Sequence, residues 1–140
     1  MCNTMKMESK RSNVQHSGGC HCGAVRFVAL GPPRVKVYKC NCSICSKKQI
    51  KGFFVPQENF SLLKGKDDLS EYTFNTGIAK HYFCKVCGVQ SFYKPRSNPT
   101  GMSIMIYCLD SGTIEDVEEI EFDGQNWEAS MKKNPPICSH

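Results

Sequence analysis

Lys39-Cys40-Asn41-Cys42-Ser43-Ile44-Cys45-Ser46-Lys47-Lys48 places three cysteines within six residues and sets lysines on both sides of them. At that spacing the three thiolates can close on one zinc ion. Two cysteine pairs flank the stretch, Cys20-His21-Cys22-Gly23 before it and Cys84-Lys85-Val86-Cys87-Gly88 after it, each followed by glycine. A structural zinc takes four protein ligands, whereas a catalytic zinc keeps three and leaves a position for water or substrate. The sequence therefore predicts two zinc ions per chain: a structural one held by Cys20, Cys22, Cys84 and Cys87, and a second one held by Cys40, Cys42 and Cys45.

The alternatives are plain. An isolated C-x-x-C is weak evidence, so Cys84 and Cys87 could form a redox disulfide or lie as buried thiols, and it is the partner doublet at Cys20 and Cys22 that turns the reading toward metal. The triplet could be closed by Cys108, Cys138, His81 or His21, with Cys108 first because it ends a strand. An all-thiolate set leaves the zinc site net negative, which makes it a poor activator of water and a better host for a soft ligand such as a substrate thiolate. Lys39, Lys47 and Lys48 are placed to offset that charge. Arg96 and Asn98, in the turn-rich stretch Pro95-Arg96-Ser97-Asn98-Pro99-Thr100-Gly101, are candidates to grip a carboxylate, Arg by a bidentate fork and Asn by its amide.

Length and composition bound these readings. A chain of 140 residues makes one domain able to bury a core. Residues 1–17 hold no apolar run fit for a secretory leader, so ten cysteines are expected as reduced thiols in a cytoplasmic or nuclear protein. No apolar segment reaches the ~20 residues needed to cross a bilayer, and no membrane partner is expected. The net charge of +5 suits small anionic ligands. The aromatic residues match no RNA-recognition pattern, so nucleic acid is not an expected partner.

In chain order, residues 1–17 are polar and aperiodic and are expected as a flexible tail. Strands are expected at 24–30, 34–40, 52–56, 69–75, 80–84, 89–93, 102–107 and 117–123, with helical turns at 43–49 and 127–133. Pro56 should end its strand or mark an edge. Residues 134–140 are expected as a second flexible tail. Short strands with turns between them and no βαβ alternation predict a mainly β, antiparallel domain over 18–133.

The three cysteine motifs together resemble those of the glutathione-dependent formaldehyde-activating enzyme family over about 18–131. Within it, Asn41-Cys42-Ser43-Ile44-Cys45, Tyr72-Thr73-Phe74-Asn75-Thr76, Gly88-Val89-Gln90-Ser91-Phe92-Tyr93 and Pro95-Arg96-Ser97-Asn98-Pro99 are similar to the centromere protein V-like branch. The resemblance implies a zinc-bearing antiparallel β-tent, with the four-cysteine set structural and Cys40, Cys42 and Cys45 at the active-site zinc. It implies a carbon–sulfur lyase acting on a small thiol, joining glutathione and formaldehyde into S-(hydroxymethyl)glutathione. The competing reading is a non-catalytic zinc module that binds chromatin, microtubules or another protein, with both metals structural. A protein fourth ligand at the triplet would favour the module, and an open position would favour the enzyme.

Overall fold

The computed structural model describes residues 13–136. Among these residues ten strands and two short α-helices run in the order β1 (Val14–Gly19), β2 (Arg26–Gly31), β3 (Arg34–Cys40), α1 (Ser43–Lys48), β4 (Gly52–Pro56), β5 (Phe60–Lys64), β6 (Leu69–Tyr72), β7 (Lys80–Cys84), β8 (Phe92–Lys94), β9 (Gly101–Met105), β10 (Asp116–Phe122) and α2 (Trp127–Lys133). They build a three-stranded sheet, β1-β2-β5, and a seven-stranded sheet, β10-β3-β4-β9-β8-β7-β6. The mainly β architecture is thus the expected one.

Strand β3 shows why the pattern was readable. Val35 and Val37 are buried while Arg34, Lys36 and Tyr38 between and beside them are exposed or half-buried, the two-residue period of a strand covered on one side. Strand β4 is buried at every position and reads instead as a continuous apolar run. Phe27 and Ala29 from the small sheet share one core with Val35, Val37, Phe53, Val55, Phe92 and Ile104 from the large one. Phe27 stacks on Phe60 at 5.7 Å and meets Phe92 edge-on at 5.7 Å, so aromatic contacts tie the sheets together. Pro56 pairs with Gly101, whereas β4 meets β3 only through Gly52 and Tyr38, so the proline lies where β4 has no second neighbour.

Four expectations need correction. First, residues 1–17 are not a loose tail throughout, because Val14–Gly19 pairs with β2 along its whole length. The polar sequence conceals an anchor: His16 is fully buried, its Nε2–H donates to the Pro32 carbonyl at 2.9 Å, and its Nδ1 accepts from the Thr113 hydroxyl at 2.7 Å. Residues 1–12 lie outside the described part. Second, Pro136, expected in the carboxy-terminal tail, is buried, while 137–140 lie outside the described residues. Third, Phe60–Lys64 is a strand that the sequence pattern concealed, since Leu63 is 63% exposed and spoils the alternation. Fourth, the pairing is not wholly antiparallel. Strand β10 runs parallel to β3, with Glu121 beside Lys39 and Phe122 beside Cys40, and side-chain periodicity carries no information on direction.

His16→Ala is expected to cost about 2–4 kcal/mol, by opening a cavity and leaving the Pro32 and Thr113 groups unpaired. Urea unfolding measures it. Removing residues 1–17, harmless if they were a tail, should abolish cooperative unfolding altogether.

Candidate metal centre and its cavity

The triplet forms at the corner where β3 turns into α1. Cys40 ends the strand and Cys42 is the N-cap residue, with φ −65° and ψ 168°, while Cys45 lies within the first helical turn. Ser46 donates to the Cys42 carbonyl at 2.9 Å, closing that turn. Helical side chains lean back toward the N-terminus, which returns the Cys45 thiol toward Cys40 and Cys42. All three sulfurs lie within 4.8 Å of one another. Gly124, just beyond β10, is required here, because a Cβ at that position would collide with the Cys40 sulfur and stand 2.8 Å from the Cys42 Cβ.

The electrostatics of the three thiols would suit a cation. Hydrogen bonding with Cys40, and then with Cys45, draws the Cys42 thiol down to about 2, while bonds to Cys40 and Cys42 push Cys45 far up. Three thiols this close cannot all ionise on their own, and a bound cation is what would allow it.

Cys20, Cys22, Cys84 and Cys87 form the other group. The Cys22 sulfur is 3.6 Å from that of Cys20 and 3.6 Å from that of Cys84, although Cys22 and Cys84 are 62 residues apart. Those separations are far beyond a disulfide bond of about 2.05 Å and close to the ~3.8 Å between sulfurs around tetrahedral zinc with Zn–S near 2.3 Å. Backbone N–H groups donate to the sulfurs, Val25 to Cys20 at 3.3 Å and Val86 and Cys87 to Cys84 at 3.4 and 3.5 Å. Gly23 and Gly88 take φ of 83° and 78°, the left-handed turn that follows each pair. The donor set fits a closed metal site.

Nothing among the described residues closes the triplet. The Cys108 sulfur approaches the Gln90 carbonyl at 3.8 Å and burial raises its pKa, but it belongs to neither metal-ready group, and neither do His81 and His21. Cys138 lies outside the described residues. A cavity of about 440 Å³ opens beside Cys40, Cys42 and Cys45. Its walls include Tyr38 stacked on Phe54 at 5.2 Å, and the Arg96 guanidinium lying 3.7 Å over the Trp127 ring.

The other expected site residues divide. Arg96 lines the cavity; Asn98 lies outside its lining, 2% exposed, with its backbone carbonyl accepting from Gly101 N–H to close the loop turn. Lys48 donates to Gln90 Oε1 at 2.9 Å and lies 5.1 Å over Phe83, and burial lowers its pKa. Sequence reasoning missed Trp127 and Tyr93 as cavity residues and treated His81 mainly as a strand residue. The available signal was the alternation of β7, which puts His81 and Phe83 on opposite faces from Tyr82.

Comparisons with known proteins agree with this geometry. The model of the family described as glutathione-dependent formaldehyde-activating enzyme matches residues 15–130. The crystal structure of a Rhodobacter sphaeroides protein is similar at 26% sequence identity and a TM-score of 0.61, covering 74% of this chain and 99% of that one. No helix among the described residues is long and apolar enough to cross a membrane.

Metal analysis of reduced protein should separate the cysteines. Cys108→Ser is expected to keep the wild-type metal content, whereas Cys45→Ser and Cys84→Ser each lose one equivalent. A loss from Cys108→Ser would make the triplet a closed site. Cys84→Ser should also aggregate, since structural zinc contributes ~10–16 kcal/mol in finger peptides, as much as a whole domain's stability.

Proposed function

The chain belongs to the glutathione-dependent formaldehyde-activating enzyme family, and from that premise we propose a zinc-dependent carbon–sulfur lyase that joins a small thiol to formaldehyde or reverses that step. The thiol by this reading is glutathione and the product S-(hydroxymethyl)glutathione, with two zinc ions per chain. One observation carries the proposal: three thiols converge on the wall of a cavity while no described side chain takes the fourth position. A zinc ion there would keep a substrate sulfur deprotonated near neutral pH.

The chain's own residues do the rest. The volume of about 440 Å³ lies in the range of small-molecule sites, and its walls are partly aromatic. Arg96, stacked by one face on Trp127, keeps its edge N–H groups available for a carboxylate of the thiol peptide. This sulfur-rich chemistry belongs in a reducing compartment, cytoplasmic or nuclear. The module reading needs a protein ligand at the triplet's fourth corner, and Cys108, His81 and His21 all fall outside the group.

The test is a thiol titration of cobalt-substituted protein, read by sulfur-to-cobalt absorption, together with the exchange rate of formaldehyde with glutathione. Saturable thiol binding at the triplet and acceleration above the spontaneous rate are expected. Arg96→Ala and Arg96→Lys should both weaken thiol binding about tenfold or more, because a lysine cannot offer the planar fork. Stability should fall by less than about 1 kcal/mol, the worth of a half-buried stack at the surface. Unchanged affinity would assign Arg96 to packing against Trp127.

A further inference from the structure

We propose that His81 carries the proton of the thiol–carbonyl reaction, taking it from the substrate S–H at Nδ1 and returning it to the carbonyl oxygen, an inference that rests on the function proposed above. His81 sits on β7, opposite Tyr72 of β6 and Tyr93 of β8. It is 1% exposed and lines the cavity that holds the triplet. Its ring lies parallel to Tyr93, 4.8 Å away at 8°, with Phe74 at 5.9 Å. Packing alone would explain a ring in that position, but an aromatic hydrocarbon would serve as well.

The polar atoms make the difference. His81 Nδ1 is buried with no hydrogen-bond partner, whereas both ring nitrogens of His16, the other buried histidine among the described residues, are engaged. A buried unpaired nitrogen is a cost that folded proteins seldom carry without a use, and at a site wall the natural use is a ligand group.

The other cavity groups are unsuited to the task. Arg96 does not give up its proton. Burial, and then the charge of Cys45, raises the Tyr93 phenol well above its usual range, so it stays protonated. Cys40, Cys42 and Cys45 are committed to the metal, and the hydroxyls of Ser43, Thr76 and Ser97 are too weakly basic. Around His81 stand Lys48 of α1, Cys42 at the head of α1, Gln90, Tyr72 and Tyr93. Burial first, and then the Lys48 charge, hold the imidazole below its ordinary value, while Gln90 and Cys42 act against that shift. The ring is thus a free base near neutral pH, ready to accept.

The step balances without a further reactant. The S–H proton moves to Nδ1, a sulfur lone pair forms the S–C bond to the carbonyl carbon, and the C=O π pair moves to oxygen. That oxygen then takes the proton back from the ring. Thiol and formaldehyde give the hydroxymethyl thioether, nothing is oxidised or reduced, and His81 ends as it began.

The experiment compares wild type with His81→Phe, His81→Gln and His81→Ala in the glutathione–formaldehyde exchange, followed by NMR. Metal content and cobalt–thiolate absorption are measured on the same samples. Both His81→Phe and His81→Gln should lose about 10²-fold or more in rate, the usual scale of acid–base catalysis, with thiol affinity and metal unchanged. Free imidazole should restore part of the rate to His81→Ala, which a packing role would not allow. Equal rates for His81→Phe and wild type would overturn the assignment while leaving the lyase reading intact. Loss of metal from both His81→Phe and His81→Gln, or no response of His81→Ala to imidazole, would overturn it too by making His81 structural. A wild type that binds thiol without accelerating the exchange would remove the reaction itself, and this role with it.

Discussion

Mutual repulsion among thiolates is the constraint on which the rest of the structure depends. Sulfurs within 4.8 Å of one another cannot all carry charge unless a cation lies among them, so every element that holds them together favours a site for such a cation. At the triplet those elements are the end of β3, the first turn of α1, and Gly124, whose missing side chain leaves room for the Cys40 sulfur. The parallel pairing of β10 with β3 belongs to the same arrangement, for it brings Phe122 beside Cys40 and delivers Gly124 just beyond it.

The two cysteine groups differ because of where their members come from. Cys40, Cys42 and Cys45 lie on one continuous stretch, and a single strand-to-helix corner can present three sulfurs to one side only. The other side faces the cavity. Cys20 and Cys22 follow β1, in the small sheet, while Cys84 ends β7, in the large one, so this group approaches its centre from two sheets and encloses it. A metal there would also cross-link the sheets across 62 residues of chain, removing far more freedom from the unfolded state than a local clip.

Much of this was legible in the sequence, and the parts that were not have physical reasons. Both metal-ready groups, β3, β4, β7, α2 and all but the last residue of the turn at 43–49 followed from spacing and periodicity, because those signals are local. The hidden features depend on partners distant in the chain. His16 in a polar stretch gives no sign that Pro32 and Thr113 await it. Strand direction at β10 and the inward turn of Asn98 are likewise decided by the assembled fold. Trp127 was readable as the start of a helix but not as the platform beneath Arg96, since nothing local joins the two residues.

The core itself separates the two metal-ready groups. Cys20 and Cys84 are members of the large apolar cluster that includes Phe27, Phe53 and Ile104, so the four-cysteine group is continuous with the interior that stabilises the domain. Cys45 instead packs with Ile50, Tyr93 and Met105 in a satellite cluster, against which Cys40, Cys42 and Cys108 lean. Disturbing one contiguous core disturbs the whole fold, because close-packed interiors transmit strain, whereas a satellite can rearrange with its own few neighbours. A cation at the triplet would therefore sit where rearrangement is least costly. Tyr93 is packed in the satellite and stacked on His81, so the wall of the cavity is held by the same ring that supports the triplet.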